Sequence, residues 1–233
     1  MIGRDVYSTG EYVDHFRPED AHHPLRALYA AKRRDVIASV RSSLPAMGMV
    51  LDVGGGPGRM SVPLAAAYRV TLCDISADML QIAARSAEES GVPAGNLMPL
   101  RLDASEPLPF PSASFDRALC IDLLVHLEAP VSLLRELHRV LKLDGELLVD
   151  MSNGSPWWIL RYPRTLGRWP GRWMSTWRSG GVLPEWQSTV RHHRLADYRA
   201  MLAKARFETV EERTYGPRWC AKWLLSRCRP QPG

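Results

Sequence analysis

The chain has few cysteines, and their spacing suits neither a disulfide framework nor a zinc site. Cys73, Cys120, Cys220 and Cys228 form no Cys-x-x-Cys pair and do not combine with histidines at zinc-binding intervals. The histidines also lack the i, i+4 spacing of a zinc-binding helix. We therefore expect free thiols in a reducing compartment and no metal site.

Long apolar runs and several nucleotide motifs are also missing. No stretch approaches the roughly 20 apolar residues of a membrane-spanning helix, and residues 1–20 lack the apolar centre of a signal peptide. The phosphate-cradling pattern GxxxxGK(S/T) is absent too. These absences predict a soluble, cytoplasmic protein without a P-loop.

The composition is that of an ordinary globular protein. The 233 residues are 45% hydrophobic and 24% charged, which excludes a disordered chain or a coiled coil. The length predicts one domain. The net charge of +5 is too small to indicate a nucleic-acid partner.

Short apolar runs without a helical period alternate with amphipathic segments between 49 and 152. Such runs are typical of buried parallel strands, and the segments between them of helices covering both faces of the sheet. We therefore expect an α/β protein with a doubly wound, mostly parallel sheet. The predicted strands are 49–54, 69–75, 96–103, 115–122 and 146–152; the predicted helices are 59–68, one capped by Ser76 and stopped by Gly91, and 131–143, ended by Asp144-Gly145.

A glycine-rich loop follows the first predicted strand in the sequence LDVGGGPG. Glycines here let the backbone approach a ligand that a Cβ would repel. The pattern is GxGxG through Gly54, Gly56 and Gly58, and position 59 is arginine. A dinucleotide motif needs a small residue at that position for close helix packing, so the loop argues against a nicotinamide cofactor.

Four aspartates stand at or near predicted strand ends: Asp52, Asp74, Asp103 and Asp122. Asp74 comes 20 residues after Gly54, the interval at which an acid accepts hydrogen bonds from ribose hydroxyls. A row of carboxylates would repel a pyrophosphate. It suits a ligand that carries an ammonium group, a ribose and a sulfonium.

Four segments resemble, in order and spacing, the motifs of class I S-adenosylmethionine-dependent methyltransferases. They are LDVGGGPGRMSVPLA, CDISADML, LDASEPLPFPSASFD and LLRELHRVLKLDGELLV. The third segment is similar to the ubiquinone/menaquinone branch, whose members act on small molecules. The resemblance is strong over 50–152 and weak over 195–215, where Ala205-Arg206-Phe207 replaces the usual Ala-Gly-Phe.

The resemblance implies a Rossmann-like fold with N-terminal helices and an inserted lid. It also implies S-adenosylmethionine as cofactor, S-adenosylhomocysteine as product and a small organic acceptor methylated at oxygen, nitrogen or carbon. The implied cofactor contacts are Gly54, Gly55, Gly56 and Gly58 for the methionine part, Asp52 for its ammonium, Asp74 for the ribose, Ile75 and Met79 for the adenine, Asp103 and Ala104 for the adenine amino group, and Asp122 or Leu123 for the sulfonium.

The chain is expected to form one methyltransferase domain with four parts. These are an N-terminal helical cap (1–48), a cofactor-binding core (49–152), a lid (153–194) and a C-terminal helix with strands (195–233). The lid holds six of the eight tryptophans and seven arginines against one acid.

His126, which follows the fourth predicted strand, is the best candidate for a general base. Histidine titrates near neutral pH, and in the resembled family this place lies near the transferred methyl group. A purely structural histidine is the alternative. A base is needed only if the acceptor must lose a proton.

The acceptor is expected to contact the N-terminal segment and the lid. Trp157, Trp158 and Arg161 would form an apolar pocket with one cation, which suits an aromatic or isoprenoid-like acceptor bearing a carboxylate or phosphate. The tryptophans could equally form a small core of the lid itself. The remaining predicted substrate residues are Tyr12, Phe16 and His193.

Three alternative functions are compatible with the same sequence. The arginines and tryptophans of the lid also suit an RNA methyltransferase or contact with a membrane surface. A protein that binds the cofactor without catalysis is a third alternative. The oligomeric state is not predicted.

Overall fold

The computed structural model describes residues 26–152, 193–216 and 223–232. Within these ranges it contains five α-helices, a short 3₁₀ helix and seven strands. In chain order they are α1 (Arg26–Ser43), β1 (Met49–Val53), α2 (Ser61–Ala65), β2 (Arg69–Asp74), α3 (Ala77–Glu89), β3 (Leu97–Arg101), β4 (Phe115–Cys120), the 3₁₀ helix (Leu124–His126), α4 (Pro130–Val140), β5 (Leu141–Ser152), α5 (Leu195–Lys204), β6 (Phe207–Tyr215) and β7 (Trp223–Pro230).

The strands form one sheet in the order β3-β2-β1-β4-β5-β7-β6. Strands β1 to β5 are parallel, and β7 runs antiparallel between β5 and β6. From β1 the chain first winds outward to β3 and then returns to β4 on the other side of β1. The predicted doubly wound, mostly parallel sheet is confirmed, with its switch point between β1 and β4.

The two faces of β1 pack against different helices because side chains alternate along a strand. Leu51 and Val53 lie in a core cluster with leucines of α4 and with Tyr198 of α5. Val50 lies in the opposite cluster with Val36 and Val40 of α1. The sheet therefore has a core on each side, which keeps β1 buried and fixes the loop that follows it.

Two local signals in the sequence are confirmed at α3. The Ser76 hydroxyl accepts a 3.4 Å hydrogen bond from the amide of Met79, which caps the helix. Gly91 has a φ of +67° just beyond the end of α3, a left-handed conformation that glycine adopts without strain.

Two predicted helices have different ends in the structure. The predicted helix 59–68 is confined to α2, because the turn of the glycine loop continues through Met60. The predicted helix 131–143 ends at Val140, and β5 begins at Leu141 rather than after Asp144-Gly145. The amides of Ala113 and Ser114 bond the carbonyls of Arg139 and Val140, so the neighbouring loop satisfies the end of the helix.

The predicted cap and lid are only partly within the described ranges. The cap is represented by α1, and of the lid only His193 and Arg194 are described. The predicted contact of the lid with a membrane surface therefore lies outside the described residues. Among the helices that the structure describes, none is long and apolar enough to cross a membrane.

Candidate functional site

The glycine loop lies at the carboxyl ends of the central strands. The amides of Gly54 and Gly55 donate hydrogen bonds of 2.7 and 3.2 Å to the carbonyl of Cys73 in β2. A Cβ on Gly55 would lie 2.3 Å from Leu72 and 2.6 Å from the Asp52 carboxylate. The first half of the loop is therefore packed directly onto the ends of β1 and β2.

Gly56 and Gly58 serve different needs in the same loop. Gly58, with φ +76°, is packed so closely that a Cβ would lie 2.9 Å from Ala83 and Val62. Gly56, with φ +53°, faces open space, since no atom of the described residues lies within 4 Å of the place its Cβ would occupy. Gly56 is thus the loop glycine at which a ligand has room to approach the backbone.

Asp74, the last residue of β2, accepts hydrogen bonds from the glycine loop and from the start of α3. Its Oδ2 accepts a 2.9 Å hydrogen bond from the amide of Gly56, and its Oδ1 accepts one of 2.9 Å from the amide of Ser76. Each carboxylate oxygen has a further lone pair for a ligand hydroxyl. Burial raises the pKa of Asp74, although these two hydrogen bonds oppose the rise.

Asp52 lies in β1 beneath the loop and is only 1% exposed. Its Oδ2 accepts a 2.6 Å hydrogen bond from the hydroxyl of Ser61 in α2. Burial raises the pKa of Asp52 to about 6, although this hydrogen bond opposes the rise. Asp52 has no ion pair among the described residues, and a buried carboxylate of this kind favours a cationic ligand nearby. This agrees with the predicted contact between Asp52 and the ammonium group of the cofactor, which stays a prediction.

The predicted adenine contacts follow β2 and β3 at the same rim. Ile75 is half-buried, whereas Met79 is buried in the first turn of α3. Asp103 is half-buried, and its Oδ1 accepts hydrogen bonds from the amide and hydroxyl of Ser105. Ala104 packs against the main core cluster. The structure brings these residues to one edge, and their contacts with adenine remain predictions.

The turn after β4 meets the glycine loop at the switch point of the sheet. Asp122 has a φ of +57°, a left-handed conformation that aspartate tolerates better than most residues. Leu123 lies against Gly54, since a Cβ there would be 2.8 Å from Leu123 Cδ1. The predicted sulfonium contacts therefore adjoin the predicted methionine contacts.

Sequence reasoning missed two buried residues beside this turn. The ammonium of Lys32 in α1 forms ion pairs with Asp122 at 2.7 Å and with Asp150 of β5 at 2.6 Å. Burial alone would lower the pKa of Lys32, but the two carboxylates outweigh it and raise the pKa. Asp150 could have been noticed as the one acid within the apolar run LLVDM, whereas Lys32 stands beside surface arginines and gives no such signal.

His126 closes the 3₁₀ helix that follows this turn and is half-buried. Burial lowers the pKa of His126 below its ordinary 6.5, although the charge of Asp122 opposes the shift. The ring is therefore neutral at neutral pH, the form that a general base requires.

Of the predicted substrate residues, the structure describes His193, which is half-buried and lies two residues before α5. The other predicted substrate residues lie outside the described residues: Tyr12, Phe16, Trp157, Trp158 and Arg161.

The sheet order, the glycine loop after β1 and the acids at the next strand ends define the Rossmann-like fold of class I methyltransferases. Residues 50–145 match the family described as Methyltransferase domain. The predicted resemblance to class I S-adenosylmethionine-dependent methyltransferases of the small-molecule type is confirmed.

Curated relatives match part of the chain. The chain is 30% identical over 142 residues to a ubiquinone biosynthesis O-methyltransferase of Xanthomonas axonopodis pv. citri (strain 306). This match covers 60% of this chain and 54% of the relative. The chain is 38% identical over 101 residues to the O-methyltransferase rstn1 of Aspergillus nomiae, covering 43% of this chain and 44% of the relative. The chain thus spans about half the length of the curated relatives it matches.

Solved structures share the fold of this chain. Magnesium protoporphyrin IX methyltransferase of Synechocystis PCC 6803, solved with bound S-adenosylhomocysteine, gives a TM-score of 0.72 at 20% identity and covers 98% of both chains. The 4+2 cyclase SpnF gives a TM-score of 0.62 at 22% identity, covering 88% of this chain and 82% of its own. The second comparison shows that this fold alone does not set the reaction.

Proposed function

We propose that this chain binds S-adenosylmethionine at the glycine loop and transfers its methyl group to a small organic acceptor, releasing S-adenosylhomocysteine. The observation that carries this proposal is the edge formed by Gly56 and Asp74, where an open backbone position adjoins a carboxylate with free lone pairs. When bound, the sulfonium of this cofactor supplies an electrophilic methyl group.

The residues at this edge fit the cofactor. Gly56 leaves room against the backbone, Asp74 has acceptors for ribose hydroxyls and Asp52 is a buried carboxylate suited to an ammonium group. The remaining proposed contacts are Gly54, Gly55 and Gly58 for the methionine part, Ile75, Met79, Asp103 and Ala104 for the adenine, and Asp122 or Leu123 for the sulfonium.

We infer that the methylated atom is an oxygen. The two curated relatives described above are named as O-methyltransferases, and the first is named for ubiquinone biosynthesis. This supports a small hydroxyl- or carboxyl-bearing acceptor over RNA. The proposed acceptor contacts are Tyr12, Phe16, Trp157, Trp158, Arg161 and His193.

His126 is the proposed general base for an acceptor hydroxyl. It follows the turn that packs on the glycine loop, and its lowered pKa keeps the ring unprotonated at neutral pH. A positioned base contributes roughly 10²–10⁴-fold to a rate. If the acceptor is already ionised, no base is needed, and alignment of the two reactants is the main contribution of the protein to the rate.

Calorimetry and isotope transfer test this function in sequence. Titration with S-adenosylhomocysteine should give saturable heat, and a nicotinamide dinucleotide should give none. The protein is then incubated with methyl-labelled cofactor and a metabolite extract, and mass spectrometry should find a new labelled product. Binding without any labelled product would favour a non-catalytic protein or another reaction, and absence of binding would reject the cofactor assignment.

A further inference from the structure

The ammonium of Lys32 uses all three of its hydrogen-bond donors inside the protein. It lies 2.7 Å from both oxygens of Asp122 and 2.6 Å from Oδ2 of Asp150. The side chains of Lys32 and Asp150 are each only 1% exposed, whereas that of Asp122 is 34% exposed. Asp122 is therefore the member of this cluster that faces the open edge of the sheet.

Two aromatic rings complete the surroundings of this ammonium. Lys32 Nζ lies 4.6 Å from the centroid of the Trp223 ring and 5.5 Å from that of Tyr29. The faces of aromatic rings attract cations, and most strongly where water is excluded. Two carboxylates and two rings thus form a cage for a primary ammonium ion, and we refer to Tyr29, Asp122, Asp150 and Trp223 as the ammonium cage.

The cage also controls the backbone beside the glycine loop. Asp150 Oδ1 accepts a 2.6 Å hydrogen bond from the amide of Asp122, while its other oxygen binds Lys32. Asp122 itself is held at a φ of +57°, and its neighbour Leu123 packs against Gly54. Lys32 therefore stabilises the turn against which the cofactor loop rests.

The charges of Lys32, Asp122 and Asp150 also affect which charged ligands can approach this cluster. Without Lys32, Asp122 and Asp150 would place two negative charges at the end of neighbouring strands. An anionic acceptor oxygen would be repelled there, and a cationic ligand would be attracted. With Lys32 in place, both oxygens of Asp122 are already paired.

We propose that Lys32 is a positioning residue of the cofactor site, and that its ammonium occupies a cage that would otherwise bind a primary ammonium ion. Its presence orders the Asp122 turn beside the glycine loop and denies the carboxylate pair to other cations. The cofactor site is defined by the proposed function, on which this inference therefore rests.

Chemical rescue of the full-length chain tests the inference. Lys32→Ala removes three methylenes and the ammonium, which propylammonium replaces atom for atom. We expect Lys32→Ala to lower the melting temperature and to weaken S-adenosylhomocysteine binding about tenfold or more. Propylammonium should then raise the melting temperature of this variant saturably and restore its affinity, whereas propanol and sodium at equal ionic strength should not.

Lys32→Met is the matched control because it retains most of the side-chain volume without the charge. It should be weakened like Lys32→Ala but not rescued, since its side chain fills the space that propylammonium needs. The wild-type protein should show no saturable response, because its own lysine occupies the cage. If Lys32→Ala does not fold, recovery of its circular dichroism on refolding with propylammonium, but not with sodium, provides the same test.

Three results would overturn the inference: unchanged S-adenosylhomocysteine affinity in Lys32→Ala, an equal effect of propylammonium and propanol, or an equal propylammonium response in the wild type. A wild-type protein that does not bind S-adenosylhomocysteine would instead reject the proposed function. In that case the melting temperatures still decide whether the ammonium cage exists.

Discussion

The amide of Gly56 donates a 2.9 Å hydrogen bond to Oδ2 of Asp74, which ties the glycine loop after β1 to the end of β2. The other oxygen of Asp74 accepts from the amide of Ser76, the N-cap of α3. One carboxylate therefore organises the loop and the start of a helix, and it does so at the edge proposed to hold the ribose.

Asp74→Ala should weaken S-adenosylhomocysteine binding by roughly 10- to 100-fold, because hydrogen bonds to a charged group are worth about 1.5–3 kcal/mol. Asp74→Asn retains one acceptor oxygen and should lie between the wild type and the alanine variant. Isothermal titration calorimetry measures both. Asp78→Ala, which removes an exposed acid from the first turn of α3, is the control and should bind normally.

Gly56→Ala should separate ligand binding from folding. Its methyl group would enter the open space of the loop, so affinity for S-adenosylhomocysteine should fall about tenfold or more. The left-handed φ should cost about 1 kcal/mol of stability. Gly91→Ala has a similar φ and equally open space away from the loop, so it should show the same loss of stability with normal binding. Equal affinities of the two variants would argue against a ligand at Gly56.

The buried Asp52 should make the ligand-free protein less stable as the pH rises. Its pKa is about 6 in the folded chain against 3.8 ordinarily, so the folded state holds the proton more tightly. The resulting stabilisation is fully present below about pH 4 and is lost as the pH rises through 6, amounting to about 3 kcal/mol.

Urea unfolding of the wild type and of Asp52→Asn across this pH range measures the effect. Asparagine cannot ionise, so the free energy of unfolding of the wild type should fall relative to that of the variant between pH 4 and 7. A constant difference between the two proteins would show that Asp52 does not titrate in this range. Ser61→Ala, which removes the opposing hydrogen bond, should enlarge the fall.

Arg206→Gly should stabilise the protein by about 1 kcal/mol, because Arg206 has a φ of +63° in the turn between α5 and β6. Arg206 also donates a 2.6 Å hydrogen bond to the carbonyl of Pro232, which is exposed and contributes little. Arg206→Ala removes that hydrogen bond but keeps the left-handed strain, so it should not stabilise. Thermal unfolding of the three proteins distinguishes backbone strain from the side-chain contact.

His126→Gln should reduce turnover by roughly 10²-fold or more with little change in S-adenosylhomocysteine affinity. Because burial lowers the pKa of His126, the rate of the wild type should fall only below pH 6.5. Rates with an acceptor found by isotope transfer, measured against pH, check both statements. Full turnover by the variant would leave alignment of the reactants as the source of the rate.

Features with a local cause were predictable from the sequence. The apolar run of β1, the cap at Ser76 and the glycine at position 91 each depend on residues close together in the chain, and all three are present as expected. The end of α4 was not predictable in this way. Its last carbonyls accept hydrogen bonds from the amides of Ala113 and Ser114. The sequence of the helix itself does not indicate those partners.

Local pattern and spacing were therefore enough for the α/β fold, the glycine loop and the carboxylates at the strand ends. The ammonium cage required the tertiary structure, because Lys32 meets Asp122 across 90 residues and Asp150 across 118. A lysine beside Arg33 and Arg34 has the local sequence of a solvated helix face. Its burial depends on which face of α1 the sheet covers, and that is decided only when distant strands pack together.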